Sequence, residues 1–450
     1  MFSAFNCIQM RGKKTPPDNH SLTEQSAVFR AVCPHWIAIF ILLAALSASA
    51  QEALQNSLAG EAAADSRSQQ MQQPQNYTFK NGDFRMLILP SIGFDWNDNV
   101  NLSQTNVWDD YIVMPAVGIT ASYPFSQRNL LYLDVSVGYD RYLNHPNLST
   151  FDVNSSSGTG LSFDIAIKDV TINLHDWMSY VQDSSQNATV ANTPSYGTFQ
   201  NTAGLSGTWD LNQVKLSMGY DHQNIIATSS QFADVNHASE MLFARASFQV
   251  HPKVTVGLES TASFTAYEQT ILNNNDAYTV GSYVEFRPDA YFKFTARAGY
   301  AIYQFQNTST NIQTSSQNSW YASINITHQP TDFVSYSLDA GHEIQLGAQS
   351  DLVEDWYVRP SITWKVINGL DILTSLSYEH GDQGVGSVGS LPGNPNGTFD
   401  WFTGELSLQH PLTSRLTLSL DYRLTMRSSS TPDDGYTQNL IGLQLTYHPK

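Results

Sequence analysis

This 450-residue chain contains segments in which apolar and polar residues alternate. Thirteen charged residues lie at polar positions of these segments, and they are the side chains best placed to act on a solute. Acidic and basic groups that face a common space can select solutes through their electrostatic field, as rings of charge do in channels. The same groups can instead form a lattice of ion pairs that only solvates a wall, and the pattern leaves both interpretations open. These candidate lumen-lining residues are Asp134, Asp164, Arg245, Glu259, Lys293, Arg297, Asp339, Glu343, Arg359, Lys365, Glu405, Asp421 and Arg423.

The sequence gives little support for covalent catalysis or metal binding. The motifs H-E-x-x-H and C-x-x-C do not occur, and no glycine-rich phosphate loop opens a helix. Residues 95–99 (DWNDN) resemble a Ca²⁺ loop, but they lack its Gly and terminal Glu, which favours a polar turn. A hydrolase is the enzymatic alternative, but the histidines on or near predicted strands have no neighbouring nucleophile motif. We therefore expect no enzyme activity, no metal site and no cofactor. Those histidines are His175, His237, His328, His342 and His380.

The composition excludes several classes of protein. Only 14% of the residues are charged, whereas soluble domains average about 25%. Aromatic residues reach 12%, and small polar residues keep the mean hydropathy at -0.28. The net charge of -18 argues against nucleic acid as a partner. No apolar run approaches the roughly 20 residues of a membrane helix. Few charges with many aromatics indicate strands with two unlike faces.

The N-terminal region has the features of an export signal. A basic stretch precedes the apolar run 36–46, and Ala48-Ser49-Ala50 forms an A-x-A cleavage site. The apolar run is too short for a membrane anchor, the alternative interpretation. We predict a signal peptide over residues 1–50 and a flexible periplasmic leader over 51–83, with a short plug helix as the alternative for the leader. Both cysteines, Cys7 and Cys33, would leave with the signal.

From Phe84 onward, apolar and polar residues alternate strictly. Leu416, Leu418 and Leu420 alternate with Thr417 and Ser419, and about 18 such segments follow one another to the C-terminus. Side chains of successive strand residues point to opposite faces, so each segment has one apolar and one polar face. Most predicted segments have about 9–14 residues, a length that suits tilted membrane strands.

The connections between these segments differ in length and charge. Short turns alternate with long polar loops, and the nine predicted long loops contain acidic residues but no Lys or Arg. This asymmetry is typical of outer-membrane barrels. A sheet in hydrocarbon must close on itself, since no water can satisfy its edge. The sequence thus predicts an all-β fold: a closed antiparallel transmembrane β-barrel of about 18 strands over residues 84–450.

One stretch near the start of the barrel carries a family resemblance. Residues 93–100 (GFDWNDNV), 108–111 (WDDY), 115–118 (PAVG) and 138–143 (GYDRYL) are similar to the beginning of the β-barrel porin-2 type proteins. The match covers about 60 residues. The resemblance implies an outer-membrane protein of the kind often linked with exopolysaccharide synthesis and export.

Together, these patterns predict an outer-membrane channel for passive passage of small polar solutes or export of exopolysaccharide. Acidic loops would repel a strongly anionic polymer, so a neutral glycan or small cations suit the mouth better. The alternatives are a non-conducting barrel that serves as a receptor or adhesin, and a soluble secreted β-protein. Expected partners are outer-membrane lipid and lipopolysaccharide, the barrel-assembly machinery and, from the resemblance, exopolysaccharide-export components.

Overall fold

The structure is a computed structural model. It describes residues 77–449 except 127, 155–159, 182–184, 186, 195, 311, 349, 368 and 389–396. The predicted signal peptide and most of the predicted leader therefore lie outside the described residues.

Strands make up most of the described chain, and the long ones have 12–15 residues. In chain order they are β1 (Phe79–Asn81), β2 (Phe84–Asn97), β3 (Asp110–Pro124), β4 (Leu130–Tyr142), β5 (Thr150–Asn154), β6 (Leu161–Ile167), β7 (Val170–Val181), β8 (Thr198–Asp210), β9 (Val214–Ala227), β10 (His237–His251), β11 (Val254–Tyr267), β12 (Asn275–Phe286), β13 (Phe292–Phe305), β14 (Gln313–Thr314), β15 (Gln317–Thr331), β16 (Val334–Gln345), β17 (Val353–Ile367), β18 (Leu370–Gln383), β19 (Ser387–Val388), β20 (Gly397–Pro411), β21 (Leu416–Ser429) and β22 (Tyr436–Tyr447). Two 3₁₀ helices, Pro146–Leu148 and Ser230–Val235, lie in loops.

The main sheet closes into a barrel of eighteen strand positions. Twenty strands form the sheet. Of these, β1 only extends β2 as a hairpin, and β5 and β6 together fill the one position between β4 and β7. Each remaining strand pairs antiparallel with its neighbours in the chain, and β2 pairs with β22 to close the ring. The predicted closed antiparallel barrel of about 18 strands is confirmed.

The strands differ from the predicted segments in a few details. The predicted leader extends to residue 83, but Phe79–Asn81 already pair with β2. A single strand was expected over residues 151–166, and the structure has β5 and β6 there. Other strands run past their predicted ends, as β18 does to Gln383 where the alternation predicts a strand over 370–379. Backbone pairing continues there although the side-chain alternation fades.

The barrel is inside out compared with a soluble domain. On β21, Leu420, Tyr422 and Met426 are exposed, whereas Thr425 and Arg427 are buried. The same holds around the ring, and among the described residues buried polar side chains outnumber buried apolar ones. The outward face is therefore apolar and the inward face polar.

Aromatic residues mark two levels on the outward face. Trp356 and Trp364, eight residues apart on β17, are both about half exposed. Eight residues span about 26 Å along a strand, or about 20 Å once the roughly 40° tilt of barrel strands is included. Between such levels the outward side chains are mostly aliphatic. The belt is close in height to the apolar band of membrane barrels, about 25 Å.

The two ends of the barrel differ. At the turn end, links such as 168–169 and 252–253 are only two residues long, while at the loop end connections such as 98–109 and 182–197 are long. By the strand bounds, the nine long connections contain Asp98, Asp109, Asp183, Asp234, Glu268, Asp351, Asp433 and Asp434, but no Lys or Arg. Basic residues occur instead in the turns: Arg128, Lys168, Lys253, Arg287 and Arg415.

Within the described ranges, no helix is long and apolar enough to cross a membrane.

Candidate functional site

One long connection folds into the barrel instead of away from it. Residues 182–197 join β7 to β8, and the part that the structure describes, residues 185, 187–194, 196 and 197, is here called the inward loop. Arg423 Nη2 on β21 donates to Ser185 Oγ at 2.8 Å, and Arg427 Nε donates to the Ala188 carbonyl at 2.8 Å. Because β21 lies far around the ring from β7, the loop must cross the lumen to make these contacts.

Apolar contacts with β17 and β20 and a hydrogen bond from β18 hold the far side of the inward loop. Ala188 packs in a buried cluster with Val353, Phe399 and Trp401. Gln383 Nε2, at the end of β18, donates to the Thr189 carbonyl at 3.2 Å. Side chains of the barrel wall donate hydrogen bonds to the backbone carbonyls of Ala188 and Thr189. These bonds fix the position of the loop along the barrel axis.

Neighbouring loops brace this arrangement. The backbone N–H of Asn192 donates to the Leu102 carbonyl at 2.9 Å, and its side chain donates to the Asp433 carbonyl at 2.9 Å. The inward loop is thus joined to the connections β2–β3 and β21–β22.

A second group of loops converges on one buried carboxylate. Asp351 is 1% exposed, and it accepts hydrogen bonds from the Asn273 backbone N–H at 2.9 Å and from Asn273 Nδ2 at 2.6 Å. The Thr314 hydroxyl also donates to Asp351. This carboxylate connects the β11–β12, β13–β15 and β16–β17 loops, so the loop end on this side is tied together too.

The lumen narrows toward the loop end. Along β11, the inward residues Thr261, Ser263 and Thr265 near the loops are buried, while Thr255 near the turns is accessible. On β9, Gln223 is fully buried and Lys215 is exposed. The loops therefore cover the lumen at one end and leave a wider entrance at the other.

Three of the thirteen predicted residues meet around an aromatic ring. Arg245 and Arg297 place their guanidinium carbons 5.0 and 4.9 Å from the ring centre of Tyr283, within cation–π range. Arg297 also pairs with Glu259, which is 2% exposed. The Tyr321 hydroxyl donates a long hydrogen bond of 3.4 Å to the same carboxylate.

The aromatic rings on this wall lie flat against glycines. Tyr283 covers Gly257, and Tyr321 covers Gly281 and Gly299, so that a Cβ at any of these glycines would collide with a ring. Glycine in a strand often marks such a close approach. Rings that lie along the wall take little of the lumen's cross-section.

Four more predicted residues lie on β16 and β17: Asp339, Glu343, Arg359 and Lys365. Arg359 donates from Nη2 and Nε to Glu379 Oε1 at 2.6 and 3.1 Å, and its guanidinium carbon lies 4.3 Å from the Tyr357 ring centre. Asp339 is the cross-strand partner of Arg359. One cation is thus bound by a carboxylate and an aromatic ring.

Two acidic residues face each other above this cation. Glu343 and Asp355 are cross-strand partners, 5% and 1% exposed. Like charges directly opposite destabilise a sheet. Both carboxylate oxygens of Asp355 lack a hydrogen-bond partner in the described part of the chain. This part of the lumen wall therefore carries an excess of acidic groups, since, among the described residues, Asp339, Glu343, Asp355 and Glu379 surround the single cation Arg359.

The remaining predicted residues also lie on the inward face but in smaller contacts. Glu405 accepts from Ser375 at 3.0 Å, Asp421 from Ser419, Asp134 from Thr120 at 3.2 Å and Asp164 from Asn173 at 2.6 Å. Near the turns, Lys293 pairs with Glu285 at 3.3 Å, and Lys365 is the partner of Asp371. The structure does not gather all thirteen residues into one ring, and their role in selectivity stays a prediction.

Sequence reasoning missed several residues of the site. Glu379 and Arg427 lie on predicted strands, and the alternation alone would have assigned them to the polar face. Asp355 fell in a predicted loop because β17 begins three residues earlier than its apolar pattern does. Nothing in the composition of Ala188 or Thr189 separates the inward loop from the other polar loops.

A buried histidine on the inward wall is tied into a structural network. His175 bonds Asp221 Oδ1 through Nε2 at 2.9 Å and Asn173 Oδ1 through Nδ1 at 2.8 Å. Ser162 is its cross-strand partner, but both ring nitrogens are already engaged elsewhere. The imidazole has no nitrogen left to activate that serine, as a hydrolase would require.

One acidic residue in the loops, Asp234, is half-buried. Phe232, in the 3₁₀ helix between β9 and β10, packs edge-on against Tyr196 with ring centres 5.0 Å apart. Burial raises the pKa of Asp234, although hydrogen bonds from backbone N–H groups oppose the rise. Burial and the nearby Asp234 charge raise the pKa of the Tyr196 hydroxyl.

Among the described residues, no group of three or more His, Cys, Asp or Glu side chains could hold a metal ion.

Comparison with known proteins adds several distant structural likenesses. The chain is similar to Pseudomonas aeruginosa OccK2 (OpdF), crystallised with glucuronate, at 11% identity and a TM-score of 0.47 over 82% of this chain and 99% of that one. It is similar to Acinetobacter baumannii OccAB3 at 10% identity and a TM-score of 0.45, covering 80% and 98%. It is also similar to a BenF-like porin from Pseudomonas fluorescens Pf-5, at 9% identity and a TM-score of 0.45, over 81% of this chain and 99% of that one. No family model and no curated protein matches the sequence, so the resemblance to the porin-2 type stays a prediction.

Proposed function

We propose that this protein is an outer-membrane channel for small polar solutes whose lumen is narrowed by the inward loop. The observation that carries the proposal is the closed barrel with an apolar outside and a polar, charged inside. A soluble protein rarely exposes so large a continuous apolar surface. A closed antiparallel ring satisfies every backbone group within hydrocarbon.

The asymmetry of the connections supports an orientation. Short turns face the periplasm and long loops the exterior in bacterial outer-membrane barrels. The predicted signal peptide and periplasmic leader at the N-terminus agree with it, since β2 begins at the turn end. In this orientation the acidic loops form the outer mouth, and the wider entrance opens toward the periplasm.

Charge favours cations and neutral solutes at the outer mouth. The long connections lack basic residues, and Glu343 and Asp355 add acidic groups below them. A field of one sign raises the local concentration of the opposite charge. Export of exopolysaccharide, which the sequence resemblance suggests, would suit a neutral glycan better than a polyanion.

Planar-bilayer recording of the purified, refolded protein tests the channel. We expect discrete conductance steps. A barrel that inserts and shows heat-modifiable migration on gels, yet never conducts, would instead support the alternative of a non-conducting receptor or adhesin.

A second experiment tests the role of the inward loop. Replacing residues 187–193 by two glycines removes the contacts of Ala188 and Thr189 but leaves β7 and β8 intact. We expect a larger single-channel conductance than wild type, because the segment that crosses the lumen is lost. Shortening the β9–β10 connection at 229–231 is the matched control. Equal conductance in both deletion variants would show that the inward loop does not set the pore size.

A further inference from the structure

Asp355 is a buried carboxylate on the inward face of β17. It is 1% exposed, and neither of its side-chain oxygens has a hydrogen-bond partner in the described part of the chain. Its neighbour Trp356 is half exposed on the outward face, so Asp355 points into the barrel. Burying an ionised carboxylate costs free energy unless a donor or a cation compensates the charge. Asp355 therefore has acceptor capacity that the described residues leave unused.

The cation on this part of the wall is engaged elsewhere. Arg359, further along β17, donates from Nη2 and Nε to Glu379 Oε1 at 2.6 and 3.1 Å. Its guanidinium carbon lies 4.3 Å from the ring centre of Tyr357, the inward residue between Arg359 and Asp355. The Tyr357 ring also covers Gly341 on β16. This ring therefore separates the guanidinium group from Asp355.

A second carboxylate faces Asp355 across the strand pair. Glu343 is its partner on β16 and is also buried. Directly opposite residues of an antiparallel pair have Cβ atoms about 4.5–5.5 Å apart. At that spacing, both carboxylates can reach one small ion that lies between them. Glu343 and Asp355 are here called the acidic pair.

The inward loop closes the acidic pair on the side of the loops. Val353, the inward residue before Asp355 on β17, packs with Ala188 of the inward loop and with Phe399. The Phe399 ring covers Gly381, which is the partner of Asp355 on β18. The acidic pair thus lies directly below the inward loop, and it can be approached only from the turn end of the lumen.

We infer that the acidic pair binds one small monovalent cation from the lumen. Asp and Glu side chains select cations in channels. A bound cation would offset the repulsion between the two carboxylates and use the free acceptors of Asp355. Asp339, nearer the turn end on the same face of β16, is only half-buried, so the approach carries a further carboxylate. The inference deepens the proposed channel and rests on its water-filled lumen.

Other occupants fit less well. Ca²⁺ takes about six to eight oxygen ligands, and the described residues offer no group of three or more His, Cys, Asp or Glu side chains that could hold a metal ion. Water alone would leave two like charges facing each other. A proton shared by the two carboxylates would remove one charge, but the stability of the barrel would then respond to pH and not to K⁺.

Urea unfolding of the full-length protein in lipid vesicles tests the site at equilibrium. KCl is compared with choline chloride at equal ionic strength and about pH 8, because choline is too large to fit between carboxylates on adjacent strands. Above half-saturation, one bound ion multiplies the folding equilibrium constant by about ten for each tenfold rise in free K⁺. We expect wild type to show this dependence and Asp355→Asn, which keeps the shape of the side chain, to lose it.

Two further variants separate ion binding from a general effect of charge. Glu343→Gln should also lose the dependence on K⁺. Asp421→Asn removes a carboxylate from the lumen wall on β21, away from the acidic pair, and should keep it. Equal stability of wild type in both salts would overturn the inference, and so would an equal loss of the dependence in Asp421→Asn. A wild type stabilised only by acidification would show that the acidic pair holds a proton, which also overturns it.

Conductance separates this inference from the channel proposal. Unfolding in vesicles detects a bound ion whether or not the barrel conducts. A barrel that is stabilised by K⁺ through the acidic pair but never conducts in a planar bilayer would refute the channel alone. A barrel that conducts but has the same stability in both salts would refute the cation site alone.

Discussion

At the scale of single residues, the lumen is organised by a few buried charges with definite partners. Glu259 is buried and forms an ion pair with Arg297, whose guanidinium group also lies over the Tyr283 ring. Arg427 is similarly buried and bonds both the Ala188 carbonyl and Asp434. Each of these contacts joins different parts of the barrel wall. Losing one should therefore lower the stability of the barrel and not only disturb the substituted residue.

The Glu259–Arg297 pair should be important for stability. We predict that Arg297→Leu lowers the free energy of unfolding by about 3–5 kcal/mol, because it leaves a buried carboxylate without its cation. Urea unfolding of the protein in lipid vesicles, followed by tryptophan fluorescence, measures the change. Lys293→Leu is the control, since its partner Glu285 is more exposed and keeps Arg287. A similar cost for both variants would contradict the prediction.

Asp234 should make its loop sensitive to pH. A carboxyl group whose pKa is raised by folding stabilises the folded loop at low pH and loses that contribution as pH rises through its folded pKa. Amide protection factors over residues 228–236 should therefore fall between pH 4 and pH 7. In Asp234→Asn they should change little over that range, because the titrating group is gone. An unchanged pH dependence in the variant would show that another group is responsible.

At the scale of elements, each strand presents an apolar side outward and a polar side inward, and the depth of a residue along the strand matters as much as its face. Leu258 on β11 is 65% exposed in the middle of the apolar band, while Val254 on the same face begins the strand at the turn end. These two positions offer the same strand and the same face at different depths.

Depth along β11 gives a test of the membrane-facing side. Leu258→Arg should destabilise the barrel by about 2–4 kcal/mol, and Val254→Arg by about 0–1 kcal/mol, as expected for the midplane and the edge of a bilayer. Unfolding in vesicles measures both, with the same protocol as above. Equal costs at the two positions would argue that the outward face does not lie in lipid.

At the scale of the whole molecule, the charges are sorted along the barrel axis. The long connections carry only acidic charges, whereas within residues 77–449 every basic residue outside the strands lies in a turn. The inward loop and its neighbours cover the acidic end. A permeating ion would therefore meet the acidic mouth and the narrow part of the lumen together.

This sorting predicts the sign of ion selectivity. In a potassium chloride gradient across a planar bilayer, the reversal potential should indicate preference for K⁺ over Cl⁻, since the acidic mouth attracts cations. Raising the salt concentration should weaken the preference, because the Debye length falls to about 3 Å at 1 M. A reversal potential that favours anions would contradict the assignment of the acidic end to the mouth.

Much of the fold could be read from local pattern. The alternation of apolar and polar residues predicted nearly every strand and the face on which each lumen residue lies. This is possible because successive side chains of any strand point to opposite faces of the sheet, regardless of which strand it pairs with. Turn and loop lengths then indicated antiparallel neighbours and an end-to-end asymmetry. The split into β5 and β6 and the pairing of Phe79–Asn81 lay outside this information, since they depend on irregular backbone and on few residues.

The candidate site depended on contacts that no local pattern contains. Alternation along the chain was enough to show that the barrel has a polar lumen, because a closed sheet has only two faces. Which loop enters that lumen was decided by tertiary contacts such as Arg427 with Ala188, 239 residues apart in the chain. Five of the other eight long connections also contain acidic residues, and none of them contains Lys or Arg. Their paths differ only because folding brings the anchoring side chains of distant strands to one place.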